Sequence, residues 1–124
     1  MSQKLVLVID DDDGIREVIQ VCLEAIAGWR VITAASGQEG LNLAYENQPD
    51  VILLDVMMPY IDGIATFGQL QKNQKTQHIP TILLTAKAKI SEQKQYKHLG
   101  VTGVIIKPFE PYDLVAKIKM MLQW

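Results

Sequence analysis

The chain has 124 residues, a formal net charge of −2 at pH 7 and one cysteine, Cys22. A chain of this length fits one domain that buries about two thirds of its unfolded surface. The charge excludes a basic surface for nucleic acid or an anionic membrane, and the lone cysteine excludes an internal disulfide and a cysteine-based zinc site. Apolar runs reach only about five residues, too short to span a bilayer. We therefore expect a cytoplasmic domain that binds neither nucleic acid nor membrane.

Short apolar runs alternate with segments of helical periodicity along the chain. The stronger runs do not alternate polar with apolar residues, which indicates strands buried on both faces, as in a parallel sheet covered by helices. The predicted strands cover residues 5–9, 30–34, 51–54, 81–85 and 103–107, the weaker second one lying nearer the edge. The predicted helices cover residues 14–27, about 37–47, about 63–73, about 89–99 and 111–123. This alternation predicts one α/β domain with a doubly wound parallel sheet.

Polar side chains stand where four of these runs end. The first run ends on Asp10 and Asp11, the third on Asp55, the fourth on Thr85 and the fifth on Lys107. Because ligands of open α/β sheets bind at the carboxyl ends of the strands, we expect these side chains to share one crevice. Three carboxylates and one ammonium leave two net negative charges, which a divalent cation would neutralise. Hard oxygen ligands of this kind suit Mg²⁺ or Mn²⁺.

Four motifs surround these residues, in an order that spans nearly the entire chain. An acidic pair follows the first strand, "LLDVMMPYIDG" surrounds the third, "LLTAKA" lies at the fourth and "IIKPFE" at the fifth. In order and in spacing they resemble the receiver domain of response regulators in two-component signalling. The resemblance implies a flavodoxin-like (βα)5 fold with strand order 2-1-3-4-5. It also implies a receiver domain that fills residues 1–124, with no output domain in the chain.

The resemblance implies a phosphoacceptor and a metal site. Asp55 would attack a phosphohistidine on a histidine kinase or on a histidine phosphotransfer protein. Asp11, Asp55 and the backbone carbonyl of Met57 would hold Mg²⁺ directly, and Asp10 would reach the ion through water. The chain would then be a phosphoacceptor with slow self-dephosphorylation rather than an enzyme in the usual sense.

The same resemblance implies groups that bind the phosphoryl oxygens. The Thr85 hydroxyl, the Lys107 ammonium and the Ala86 backbone N–H would serve, because charge in a loose phosphoryl-transfer transition state lies on the equatorial oxygens. The Lys107–Pro108 peptide bond would be cis and would turn the lysine toward the phosphate. Met57 and Lys87 would flank the phosphoryl group.

Asp12 and Asp13 have a different interpretation from the acidic pair before them. A carboxylate at the N-cap or in the first turn of a helix stabilises it by about 0.5 to 1 kcal/mol. We assign Asp10 and Asp11 to the ion, and Asp12 and Asp13 to the start of the first helix.

Two features bear on how a phosphorylated receiver would signal. Val104 stands where many receivers carry an aromatic residue on the fifth strand, so an aromatic switch is not expected here. The fourth predicted helix offers only Ile90, Tyr96 and Leu99 to a core, so we expect it to pack lightly. The resemblance places the contact with a downstream partner or a second copy on the face of the fourth helix, fifth strand and fifth helix, where Lys94, Lys97 and Lys117 could contribute.

Three other functions compete with the receiver interpretation. A phosphatase of the haloacid dehalogenase type needs a second aspartate two residues after the first, where this chain has Met57. A flavin carrier needs a phosphate-binding loop after the first strand, and the run "DDDDG" would repel phosphate. A receiver fold used for phosphorylation-independent docking remains the alternative, although it would not need the acidic pair, Asp55, Thr85 and Lys107.

Overall fold

The computed structural model describes residues 3–86 and 89–124, and its centre is a parallel sheet of five strands that, numbered along the chain, lie in the order 2-1-3-4-5. The strands are β1 (Leu5–Ile9), β2 (Arg30–Ala34), β3 (Val51–Asp55), β4 (Thr81–Thr85) and β5 (Gly103–Ile106). The helices are α1 (Asp13–Cys22), α2 (Gly37–Asn47), α3 (Gly63–Lys72), α4 (Ile90–His98) and α5 (Pro111–Leu122). The predicted doubly wound α/β fold and its strand order are confirmed.

The observed strands and helices begin and end within one residue of the sequence-based expectation, apart from the end of α1. The first predicted helix ends as a π-helical turn, Leu23–Ala27, which continues α1 and stops at Gly28 with a φ of 71°. The fifth strand ends at Ile106 rather than at Lys107. The Lys107 N–H nevertheless donates to the carbonyl of Thr85 at 2.8 Å, so the bonding to β4 continues one residue past the strand. This bond fixes the backbone from which the Lys107 side chain extends.

The core lies in two layers, one on each face of the sheet. Within β1, Val6 and Val8 belong to one apolar cluster and Leu7 and Ile9 to the other, and all four side chains are fully buried. The first cluster includes side chains of α1 and α5, and the second includes side chains of α2, α3 and α4. Burial on both faces explains why the sequences of these strands are continuous apolar runs. Of the helices in the described part of the chain, none is both long and apolar enough to cross a membrane.

The acidic run after β1 divides as the sequence predicts. Asp12 is the N-cap of α1, and its carboxylate accepts a hydrogen bond from the Ile15 N–H at 3.0 Å. Asp13 is the first residue of the helix and pairs with Arg16 one turn later. Both carboxylates therefore stabilise the positive end of the helix dipole, and Asp10 and Asp11 remain at the sheet edge.

Helix α4 has few buried side chains. Tyr96 is buried, whereas Leu99, which was expected in the core, is 44% exposed. Leu99 follows the last helical residue as the C-cap and leads into Gly100, whose φ is 96°, so the chain turns away there. The Ile90 side chain lies outside the described part of the chain. The prediction that α4 is lightly packed agrees with the side chains that are described.

Gly63 holds the start of α3 against the end of β3. A Cβ at this position would overlap the backbone oxygen of Asp55 and lie 2.8 Å from the Cα of Val56. We expect Gly63→Ala to lower the free energy of unfolding by about 1 to 3 kcal/mol, because backbone must move. The matched control is Gly68→Ala in the same helix, where no atom beyond the neighbouring turns of helix backbone lies within 4 Å of the added carbon. The free energy of unfolding of Gly68→Ala should rise by about 0.5 to 1 kcal/mol, because alanine favours a helix more than glycine does. Urea unfolding of both variants measures this, and equal changes would contradict it.

Candidate functional site

The carboxyl edge of the sheet brings four charged side chains together. Asp10 and Asp11 follow β1, Asp55 ends β3, and Lys107 follows β5. The three aspartates each offer one carboxylate oxygen, and these atoms lie within 4.8 Å of one another. Asp10 and Asp55 are buried, whereas Asp11 is exposed. The predicted meeting of these residues in one crevice is therefore observed.

The Lys107 ammonium donates hydrogen bonds to both buried carboxylates of the cluster. Its Nζ donates to Asp10 Oδ2 at 2.8 Å and to Asp55 Oδ1 at 3.1 Å. The Lys107–Pro108 peptide bond is cis, as the resemblance implied. The sequence predicted the lysine at this edge but not its closer bond to Asp10, because a pairing between side chains 97 residues apart depends on the folded geometry.

Asp10 is held in place by hydrogen bonds to β2, to α1 and to the loop that follows it. Its N–H donates to the carbonyl of Ala34 at 3.1 Å, and its carbonyl accepts from the Arg16 guanidinium at 2.7 Å. Its second carboxylate oxygen, Oδ1, accepts from the Asp12 N–H at 3.0 Å. Both oxygens of Asp10 thus have protein donors, while the exposed Asp11 carboxylate faces solvent.

The electrostatics of Asp55 show a site that is short of positive charge. Burial raises the pKa of Asp55, the Asp10 carboxylate raises it further, and Lys107 only partly opposes them. Burial alone would lower the pKa of Lys107, but its bonds and charge pairing with Asp10 and Asp55 outweigh burial and hold that pKa above the ordinary value. The cluster thus holds three carboxylates, and one ammonium pairs with two of them. The hard oxygen donors and the excess negative charge fit a Mg²⁺ ion.

Met57 and Thr85 lie at the same edge of the sheet. The Met57 N–H donates to Asp55 Oδ1 at 3.4 Å, and its side chain is 62% exposed. Thr85 is fully buried as the last residue of β4, and its strand partner is Ile106. The Met57 carbonyl as a ligand stays a prediction, as does the Thr85 hydroxyl as a donor to phosphate. Lys87 lies outside the described residues.

An open cavity of about 630 Å³ adjoins the crevice between α1 and the chain after β5. Its lining is largely apolar and includes Ile15, Val18, Ala86, Lys107, Pro108 and Phe109. Val18 is half exposed at this rim. On the sheet, Val104 is half-buried and packs against the core cluster shared with α2, α3 and α4.

Residues 6–119 match the family model of the response regulator receiver domain, and the chain belongs to this family. It is 37% identical over 122 residues to the probable transcriptional regulator ycf27 of Guillardia theta, a match over 98% of this chain and 46% of that protein. It is 38% identical over 123 residues to the phosphate regulon transcriptional regulatory protein PhoB of Pseudomonas aeruginosa, a match over 99% of this chain and 53% of that protein. The chain spans about half the length of these curated relatives.

Solved structures give the same family. The chemotaxis response regulator CheY4 of Vibrio cholerae superposes with a TM-score of 0.90 at 31% identity, covering 97% of this chain and 99% of that one. A putative response regulator from Chloroflexus aurantiacus superposes with a TM-score of 0.90 at 35% identity, covering 99% and 100%. The flavodoxin-like receiver fold is thus shown by sequence and by structure.

Proposed function

We propose that this chain accepts a phosphoryl group from a phosphohistidine onto the carboxylate of Asp55 in a Mg²⁺-dependent reaction. The donor is a histidine kinase or a histidine phosphotransfer protein. The observation that carries the proposal is the cluster of Asp10, Asp11 and Asp55, two of which pair with the Lys107 ammonium. Burying like charges is costly, and a phosphorylation-independent docking module would have no use for them.

In the proposed reaction an Asp55 carboxylate oxygen forms a bond to phosphorus while the bond from phosphorus to the donor imidazole nitrogen breaks. The nitrogen leaves with the bonding electron pair, and an acyl phosphate is formed on Asp55. Two anions must approach each other for this step, so positive charge near the equatorial oxygens lowers the barrier. The Lys107 ammonium lies within hydrogen-bonding distance of Asp55 and supplies one such positive charge.

The remaining groups have proposed roles that follow the same electrostatic need. Asp11, Asp55 and the Met57 carbonyl would hold Mg²⁺, with Asp10 acting through water, and the ion would supply counter-charge to the phosphoryl oxygens. Mn²⁺ would suit the same oxygen ligands. The Thr85 hydroxyl would donate to a phosphoryl oxygen. In water the acyl phosphate would then hydrolyse slowly. The chain would thus be a phosphoacceptor with slow self-dephosphorylation rather than an enzyme in the usual sense.

Signalling is proposed to pass through association with a downstream protein or a second copy of the chain. The surface proposed for it is the face of α4, β5 and α5, where Lys94, Lys97 and Lys117 are exposed. We place this domain in the cytoplasm and expect no direct contact of its own with nucleic acid. The longer relatives named as transcriptional regulators carry as much chain again beyond the matched part.

Incubation with acetyl phosphate tests the proposal without a known kinase. We expect intact-mass measurement to show one added phosphoryl group in Mg²⁺ and none after chelation with EDTA. Unmodified protein in Mg²⁺ would contradict the proposal and favour the phosphorylation-independent docking module.

Removal of Mg²⁺ should lower the stability of the fold. A ligand at about 100 times its Kd stabilises a protein by about 2.7 kcal/mol when it binds only the folded state. We expect Asp11→Asn to lose most of the Mg²⁺-dependent rise in melting temperature, because it removes an exposed carboxylate of the cluster. Asp13→Asn is the control, since Asp13 is a helix residue outside the cluster. Thermal unfolding at several Mg²⁺ concentrations measures this, and an equal rise in both variants would contradict the metal site.

A further inference from the structure

The loop between β3 and α3 carries a fully exposed aromatic residue, Tyr60, five positions after Asp55. Its relative exposure is 105%, and its φ is 67°. A bulky L-residue is unfavourable in this left-handed region, which glycine adopts readily. Pro59 followed by a residue of positive φ is the pattern of a type II turn, where glycine is normally found. Because the ring is not packed against the protein, burial of the side chain does not compensate for this backbone.

The rest of the loop is anchored on both sides of Tyr60. Met58 packs against the core, and Ile61 lies against the backbone of Gly37, where an added Cβ would be 2.9 Å from Ile61 Cγ2. The Gly63 N–H donates to the carbonyl of Val56 at 3.0 Å and closes the loop at its base. The side chain of Tyr60 is therefore presented outward by a fixed backbone.

We infer that Tyr60 is a recognition residue for the protein that carries the phosphohistidine, an inference that rests on the proposed function. Asp55 is buried at the sheet edge, so a phosphohistidine reaches it only if the surface of its protein covers the rim of the crevice. Tyr60 and the exposed Met57 belong to the loop that leaves the carboxyl edge of the sheet directly after Asp55, where such a protein would approach. The predicted contact of this loop is an apolar patch beside the donor histidine.

A tyrosine suits such a contact because it has few rotatable bonds and a large apolar surface, so little conformational entropy is lost on binding. Acetyl phosphate is too small to touch the rim and the crevice floor together. Transfer from a protein donor should therefore depend on Tyr60 more strongly than labelling by acetyl phosphate does.

The test compares two rates for each variant. One is the rate of labelling by acetyl phosphate, and the other is the rate of transfer from a panel of histidine phosphotransfer domains phosphorylated with phosphoramidate. For Tyr60→Gly we expect the ratio of protein-donor rate to acetyl phosphate rate to fall about tenfold, the effect of losing one interface contact of ordinary strength. Tyr60→Phe should keep the ratio because it keeps the ring.

The matched control is Tyr45→Ala, a half-exposed tyrosine near the C-terminal end of α2 and far from the carboxyl edge, and its ratio should equal that of wild type. Tyr60→Gly should melt no lower than wild type, because glycine accepts the positive φ, so a lower ratio cannot come from unfolding. Equal ratios for wild type and Tyr60→Gly overturn the inference, as does a Tyr60→Phe ratio that falls equally far. Failure of every protein donor on a wild type that acetyl phosphate labels also overturns it, and the proposed function then still stands.

Discussion

Asp55→Asn is expected to take up no phosphoryl group from acetyl phosphate in the presence of Mg²⁺. The amide keeps the shape of the side chain and can still accept a hydrogen bond from Lys107, but it is not an anionic nucleophile. Asp13→Asn, which changes an exposed aspartate at the start of α1, should be labelled at the wild-type rate. Intact-mass measurement over time checks both variants. Labelling of Asp55→Asn at the wild-type rate would show that another residue is the phosphoacceptor.

The same substitution should change how stability depends on pH. The pKa of Asp55 is raised by burial and by Asp10, so the folded state favours the protonated carboxyl. The stability that this group contributes is present below its unfolded pKa and is lost as the pH rises through the folded value. Without Mg²⁺, Asp55→Asn should therefore be more stable than wild type at neutral pH, and the difference should shrink toward acid pH.

Lys107→Met is expected to be the most destabilising of these substitutions in the absence of metal. It removes the ammonium that bonds to both Asp10 and Asp55, whose side chains are almost completely buried. Removing one partner of a buried ion pair costs about 3 to 5 kcal/mol, because the remaining charges stay buried without compensation. Labelling by acetyl phosphate should also slow by about a hundredfold, the usual effect of losing one electrostatic contact to a transition state.

The loss of stability in Lys107→Met should depend on pH in a way that identifies its cause. Protonation of Asp55, whose pKa is raised, removes one of the buried negative charges at acid pH, so the deficit of Lys107→Met should shrink there. The pKa of Lys107 is raised in the fold, so its contribution in wild type persists through neutral pH and is lost only as the pH rises above the ordinary lysine range. Lys119→Met on the exposed side of α5 is the control and should change the free energy of unfolding by less than about 0.5 kcal/mol. Urea unfolding at acid and neutral pH that shows the same deficit at both would contradict this electrostatic cause.

The sheet could be predicted from the sequence because its strands are buried on both faces. Every side chain from Val6 to Ile9 is fully buried, and such a run cannot be a half-exposed strand of an antiparallel sheet. The strand order is a different case. Periodicity identifies strands but does not say which ones are neighbours, and the order 2-1-3-4-5 came from the resemblance to receivers.

The candidate site was predictable to the level of its residues but not of its bonds. Polar residues at the ends of parallel strands must meet at one edge, which brings Asp10, Asp55 and Lys107 together. Which carboxylate oxygen accepts from the lysine depends on side-chain geometry that no spacing encodes. The positive φ of Tyr60 was also not predicted. The signal was present, since a proline followed by a residue in the glycine position of a turn is visible in "MPYIDG".

Reduction with sodium borohydride locates the phosphoryl group most directly. Borohydride converts an aspartyl phosphate into homoserine, which peptide mapping by mass spectrometry can assign to one position. After incubation with acetyl phosphate and Mg²⁺, we predict homoserine at position 55 alone, and none when EDTA is present. Homoserine in place of Asp10 or Asp11, or no homoserine in Mg²⁺, would contradict the assignment of Asp55 as the phosphoacceptor.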